Sequence, residues 1–148
     1  MKISTRGRYG LRAMIELAAN SERHISLKTI AERQGISENY LEQLFAPIKK
    51  AGLLASYRGA RGGYGLTKPP NEITVGDVLR ILEGNLSPVE CVEPDGKCSC
   101  GSSNCDCCVT KSVWAKMYKS VNNVIDSITL KDLADDYQEV STVERGSG

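Results

Sequence analysis

The chain has 148 residues, 41% of them hydrophobic and 25% charged, which suffices for one domain with its own core plus an extension and requires no disulfide staples. No stretch is long and apolar enough to cross a bilayer, and Met1-Lys2-Ile3-Ser4-Thr5-Arg6 leads into charged amphipathic sequence, so a cytoplasmic protein with no membrane partner is expected. The formal net charge of +1 hides a division: through Lys68 there are 12 Lys and Arg against 5 Asp and Glu, net +7, and from Pro69 onward 7 against 13, net −6. A basic front half suits a polyanionic partner, and the acidic back half suits some other task.

Thr5 to Ala19 has helical spacing, with Leu11, Met14, Ile15 and Ala18 on one face and Arg8, Arg12 and Glu16 outside. Arg6 and Arg8 stand at its start, where a phosphate would also meet free helix amides, or where they are simply solvated. Asn20 to His24 is a polar connection, and a lone loop histidine reads as a surface residue. From Ser26 the pattern becomes a helix, a tight turn and a second helix. Leu27, Ile30 and Ala31 give the first apolar stripe, between Lys28 and Glu32, and Gly35-Ile36 breaks it. Ser37 can cap the next helix, in which Leu41, Leu44, Phe45 and Ile48 recur at helical spacing, leaving Glu38, Asn39, Glu42 and Gln43 on the other side. A glycine corner and a second helix buried on one side only are what a DNA-reading helix-turn-helix requires. Pro47 removes a backbone donor and predicts a bend or early end of that helix. Lys49 and Lys50 suit its C-terminus, before Gly52. Leu53 to Tyr57 and Tyr64 to Thr67 then read as strands around Arg58-Gly59-Ala60-Arg61-Gly62-Gly63, a hairpin whose glycines allow close approach to phosphate and whose arginines suit a minor groove.

Lys68 to Glu72 is a linker by composition, and Thr74 with Asp77 opens a helix faced by Val75, Val78, Leu79 and Leu82 that stops at Gly84. All six cysteines follow within one polar loop: Cys91, Cys98, Cys100, Cys105, Cys107 and Cys108. Such a loop cannot be core. Structural disulfides are disfavoured in a cytosolic chain, zinc lacks its usual Cys-x-x-Cys knuckle, and an iron–sulfur cluster tolerates an irregular loop; spacing alone leaves the two metals level. Val109 to Ile128 is the longest amphipathic run, with Val113, Met117, Val121, Val124 and Ile128 in one stripe widened by Trp114, Tyr118 and Ile125. It packs on its own domain or, as two-fold DNA sites favour, on a second copy. Thr129 with Asp132 starts a short last helix through about Asp136, followed by a flexible tail.

Lys2-Ile3-Ser4-Thr5-Arg6-Gly7-Arg8-Tyr9, Gly35-Ile36-Ser37-Glu38-Asn39-Tyr40-Leu41-Glu42-Gln43-Leu44, Arg58-Gly59-Ala60-Arg61-Gly62-Gly63-Tyr64 and Ile128-Thr129-Leu130 together resemble the Rrf-two family of bacterial winged-helix regulators through about Val140. The resemblance implies a dimer joined through the long helix. It also implies that the helix from Ser37 reads the major groove, with Asn39, Tyr40, Glu42 and Gln43 near bases or phosphates, and that Arg58 and Arg61 reach the minor groove. The IscR type of this family holds a 2Fe–2S cluster on three cysteines and a histidine three residues after the last. Cys91 fits the first position, Cys98 or Cys100 the second and Cys108 the last. Lys111 stands where the histidine would be, and an ammonium cannot ligate. The fourth ligand then falls to another cysteine, Glu90, Glu93, Asp95 or Asp106. Ser87-Pro88-Val89-Glu90 and Asp126-Ser127-Ile128-Thr129 look more like the CymR type, whose members generally lack the cluster and sense cysteine supply through a partner enzyme.

The expected architecture is mainly α with a small β wing: a winged helix-turn-helix domain over 1–84, a cysteine-rich loop over 85–108, a dimerisation helix and short terminal helix over 109–137, and a tail over 138–148. The expected function is a sequence-specific homodimeric transcription regulator, a repressor of iron–sulfur or cysteine metabolism, with a 2Fe–2S cluster on Cys91, Cys98 and Cys108 (alternates Cys100, Cys105 and Cys107). The alternative is a CymR-type regulator controlled by a cysteine-synthesis enzyme, its loop holding zinc, acting as a thiol switch or binding nothing. DNA contacts are expected from Arg6, Arg8, Lys28, Ser37, Glu38, Asn39, Tyr40, Glu42, Gln43, Arg58, Gly59, Arg61, Gly62, Gly63 and Tyr64. An enzyme is not expected, since the chain offers no Cys/His pair, phosphate loop or paired helical carboxylates.

Overall fold

The structure, a computed structural model, describes residues 2–96 and 109–146. Its helices are α1 (Thr5–Ala19), α2 (Leu27–Gln34), α3 (Glu38–Lys50), α4 (Val75–Glu83), α5 (Lys111–Ser127) and α6 (Leu130–Gly146). Strands β1 (Leu54–Tyr57) and β2 (Gly63–Leu66) lie between α3 and α4, and single 3-10 turns occupy Pro70–Glu72 and Glu90–Val92. Among the described residues no helix is long and apolar enough to cross a membrane.

Side-chain oxygens start most of these helices, as polar residues before an apolar run should. Ser4, Ser26 and Ser37 accept from the amides of Gly7, Thr29 and Tyr40, each at 3.1 Å. Thr74 and Asp77 form the reciprocal pair anticipated for α4, at 2.9 and 3.0 Å. Thr129 and Asp132 repeat it for α6 at 3.0 and 3.2 Å.

One core joins α1, α2, α3, α4, the hairpin and the start of α6, centred on Met14, Leu17, Ile30, Leu41, Leu44, Phe45, Ile48, Leu54, Ile73, Val78 and Leu130. Each such side chain contributes about 1.5–3 kcal/mol by leaving water. Where α1 meets α4 the approach is close: a Cβ at Gly10 would overlap Leu82, and one at Gly7 would overlap the Glu83 carboxylate. That carboxylate accepts from the Ser4 amide at 3.1 Å and from its hydroxyl.

Three expectations are corrected. Glu16 is not on the outer face of α1 but buried at 1% exposure, because Arg33, Gln34 and Tyr137 arrive from distant chain to satisfy it. Pro47 does not end α3 early: the helix continues to Lys50, and Ile48, fully buried, holds that last turn in the core and outweighs one missing backbone bond. The last helix does not stop near Asp136 but runs to Gly146. Tyr137 docks on Glu16 and Gln138 Nε2 donates to the Ala19 carbonyl at 2.9 Å, so contacts with α1 replace the apolar periodicity that fades there.

α5 is anchored to the rest from one side. Arg80 on α4 grips the Asp126 carboxylate with both guanidinium nitrogens at 2.8 Å and reaches Asn122 Oδ1 at 2.7 Å. At the exit of α5 a short antiparallel crossing joins the chain before α4 to the chain before α6: the Val75 amide donates to Ile128 O at 2.9 Å and the Leu130 amide to Ile73 O at 2.8 Å.

Candidate nucleic-acid interface

The corner between α2 and α3 requires Gly35, whose φ of +67° is left-handed and whose amide closes α2 onto Ala31 and Glu32. Beyond it α3 buries Leu41, Leu44, Phe45 and Ile48 and turns Glu38, Asn39, Glu42, Gln43, Ala46 and Lys50 to solvent. This one-sided helix can lie in a groove without disturbing its own core. Tyr40 is half-buried, its ring edge-on to Tyr9 with centroids 6.3 Å apart, which joins the first turn of α3 to the first turns of α1. Arg6 and Arg8 are exposed on those turns, and Lys28 is exposed on the first turn of α2.

The hairpin pairs Leu54 with Leu66 and Tyr57 with Gly63, leaving 58–62 as its tip. Arg58, Gly59 and Arg61 are exposed there, and Gly62, Gly63 and Tyr64 partly buried. Three contacts fix the tip relative to α3. The Phe45 and Tyr64 rings meet with centroids 5.0 Å apart; Lys49 Nζ donates to Ser56 Oγ at 2.8 Å; and Ile25, just before α2, pairs with Tyr64 through amide bonds of 3.0 and 2.7 Å. Burial pushes the Tyr64 phenol above its usual range, and the charge of Glu42 adds to this, placing wing and reading helix in electrostatic contact.

Neither the third edge at Ile25 nor the contact His24 makes with the wing was predicted. The His24 ring stacks on Tyr57 with centroids 3.7 Å apart and planes within 2°. Glu22, Arg23, His24 and Arg61 line one hollow, so the tip arginine stands beside the loop before α2. Only alternation in Arg23-His24-Ile25-Ser26, with Ile25 alone apolar, hinted at an extra strand position.

Two other expectations meet the structure differently. Val113 (49% exposed), Met117 (41%) and Val124 (57%) form an open apolar stripe on α5, and no residue of that helix is buried within the chain. Cys91 is half-buried in the 3-10 turn that packs against α5, whereas Cys98, Cys100, Cys105, Cys107, Cys108 and Asp106 lie outside the described residues. Among the described residues no three His, Cys, Asp or Glu converge. Lys111 is the first residue of α5, and Glu93, one of the oxygen donors considered, accepts from Ser87 Oγ at 2.5 Å.

A family model described as Rrf2, iron-dependent transcriptional regulator, matches residues 3–136. The chain is 47% identical over 135 residues to the HTH-type transcriptional regulator CymR of Bacillus subtilis, covering 90% of each protein. A solved structure of B. subtilis CymR aligns with TM-score 0.74 and 47% identity over 91% of this chain and 97% of that one. T. potens IscR, also solved, aligns with TM-score 0.76 and 49% identity over 95% and 90%. The HTH-type transcriptional regulator IscR of Pectobacterium atrosepticum is 37% identical over 146 residues, 98% of this chain and 86% of the relative.

Proposed function

Because the chain belongs to the Rrf2 (Rrf-two) family of transcriptional regulators, and so to DNA-binding regulators rather than enzymes, we propose that it binds a specific two-fold operator as a homodimer and represses from it. The observation that carries this reading is the exposed polar face of α3 set beside a hairpin tip bearing Arg58 and Arg61. On this reading α3 enters the major groove. Asn39 and Gln43 suit adenine, Glu42 accepts from cytosine, and Arg58 and Arg61 enter the adjacent minor groove. The apolar stripe of α5 pairs with its copy in a second chain, which gives two reading heads for two half-sites.

The signal enters through the cysteine segment. Soft thiolates suit an iron–sulfur cluster, and the likeness to IscR proteins supports a 2Fe–2S group on Cys91, Cys98 and Cys108. Such a group supplies sensitivity to iron supply and oxidation. Cys91 would contribute from a turn packed on α5, so the way this thiolate is held bears directly on the pairing helix. Lys111 offers no lone pair, so the fourth ligand comes from another thiolate or a carboxylate. A second reading, favoured by Lys111 and by the likeness to CymR, is a regulator under control of a partner enzyme, with the thiols on zinc or acting as a redox switch.

Selection from random duplexes with anaerobically purified chain tests the first proposal; recovery of one palindromic motif supports it, and no enrichment overturns it. Iron, sulfide and zinc analysis of the same sample decides the second. Equimolar iron and sulfide support the cluster, and zinc without sulfide, or no metal, overturns it.

A further inference from the structure

We propose that His24, on the loop before α2, is a further DNA-binding residue: its imidazolium donates to a backbone phosphate at the edge of the groove that Arg58 and Arg61 enter. This inference rests on the DNA reading above and adds to it a dependence on pH.

The ring is held as part of the wing. Its plane lies within 2° of the Tyr57 ring at a centroid distance of 3.7 Å. A Cβ at Gly65 of β2 would stand 2.9 Å from His24 Cδ2, so the bare glycine backbone leaves the imidazole its place against the strand. The next residue, Ile25, bonds to Tyr64 in both directions, which ties the backbone to the same hairpin. His24 itself is exposed, and among the described residues no hydrogen bond engages either ring nitrogen. Stacking therefore orients the ring while its donors stay available to a partner.

The titratable and charged groups around the ring are Tyr57 of β1, Arg61 of the tip, and Glu22 and Arg23 of its own loop. Two arginines against one carboxylate make this corner a place for an anion. The anion that Arg61 brings beside it, once the wing meets a duplex, is a phosphate. A protonated ring is still attracted to the Tyr57 face, so taking up the proton does not undo the stack. Imidazole is the side chain whose charge ordinarily changes between about pH 5 and 8, so this contact, unlike those of the arginines, is made and lost with pH. A ring on a phosphate holds its proton more tightly than the free ring. The gain in affinity is therefore full below the midpoint of the free ring and is lost as pH rises through that of the bound ring.

The test uses the full chain and the selected operator, with affinity measured from about pH 5.5 to 8 across a salt series. His24→Phe keeps the stack and every other titrating group but has neither donor nor charge, so the difference between the two profiles belongs to the ring. The unaltered chain should gain about tenfold in affinity toward the acid end relative to His24→Phe, with a salt slope steeper by about one. His24 is the only histidine, so its ring C–H resonances report on it directly by NMR. Their titration midpoint should rise by about one unit when operator is added, the equivalent of that tenfold gain. A His24→Phe profile that matches the unaltered chain, or a midpoint unmoved by bound operator, overturns the inference and leaves the DNA reading standing. Failure to select any operator removes both, and it shows in the selection itself.

Discussion

On the proposed reading, single residues carry the recognition of DNA, and two of them separate affinity from specificity. Replacing Arg61 with Ala should weaken operator binding by about 1–3 kcal/mol and make the salt dependence shallower, because a phosphate or minor-groove cation is lost; fluorescence anisotropy across a salt series measures both. Glu42→Ala should instead change the preferred bases at one position of each half-site, visible in a repeated selection, with little change in salt slope. The outward face from which Glu42 projects was legible because helical period divides α3 cleanly. Glu16 was not. The same periodicity put it outside, since Arg33, Gln34 and Tyr137, which neutralise and bond it, lie at positions no local pattern connects.

At the scale of elements, the wing and the α4–α5 joint are held by contacts that can be cut one at a time. Gly63 has φ +142° and a Cβ there would overlap the Ile25 backbone. Gly63→Ala should therefore cost about 1–3 kcal/mol in urea unfolding and lower operator affinity as the wing loses its third edge. The joint depends on charge. The hydrogen bonds from Arg80 hold the Asp126 carboxyl below its usual range, so their contribution is present above the unfolded carboxylate pKa and is lost as pH falls through the depressed one. Both groups are partly exposed, so Arg80→Ala should lose only about 0.5–1 kcal/mol at neutral pH, an effect that vanishes in strong acid. Helix starts were readable from Ser37, Thr74 and Thr129 because a cap is a local event. The length of α6 and its docking on α1 were not, since a polar helix end gives no stripe to count.

Across the whole molecule, α5 is the element whose apolar face the chain itself leaves open. Glutamate at both Val113 and Met117 should give a monomer in sedimentation with unchanged helicity, because neither side chain supports the chain's own core; a persisting dimer would place the contact elsewhere. Loss of pairing should reduce binding to a full operator far more than to a half-site. The crossing of Thr74 with Thr129 fastens the exit of α5 to the reading head, and Arg80 fastens its flank. Paired as proposed, two such heads act as calipers with a set opening. One base pair inserted between the half-sites rotates the far target by about 34–36° around the duplex, and a tool without a loose joint meets the wrong side of the rod. Spacing should thus act as a phase test, with recognition returning only after a further full helical turn.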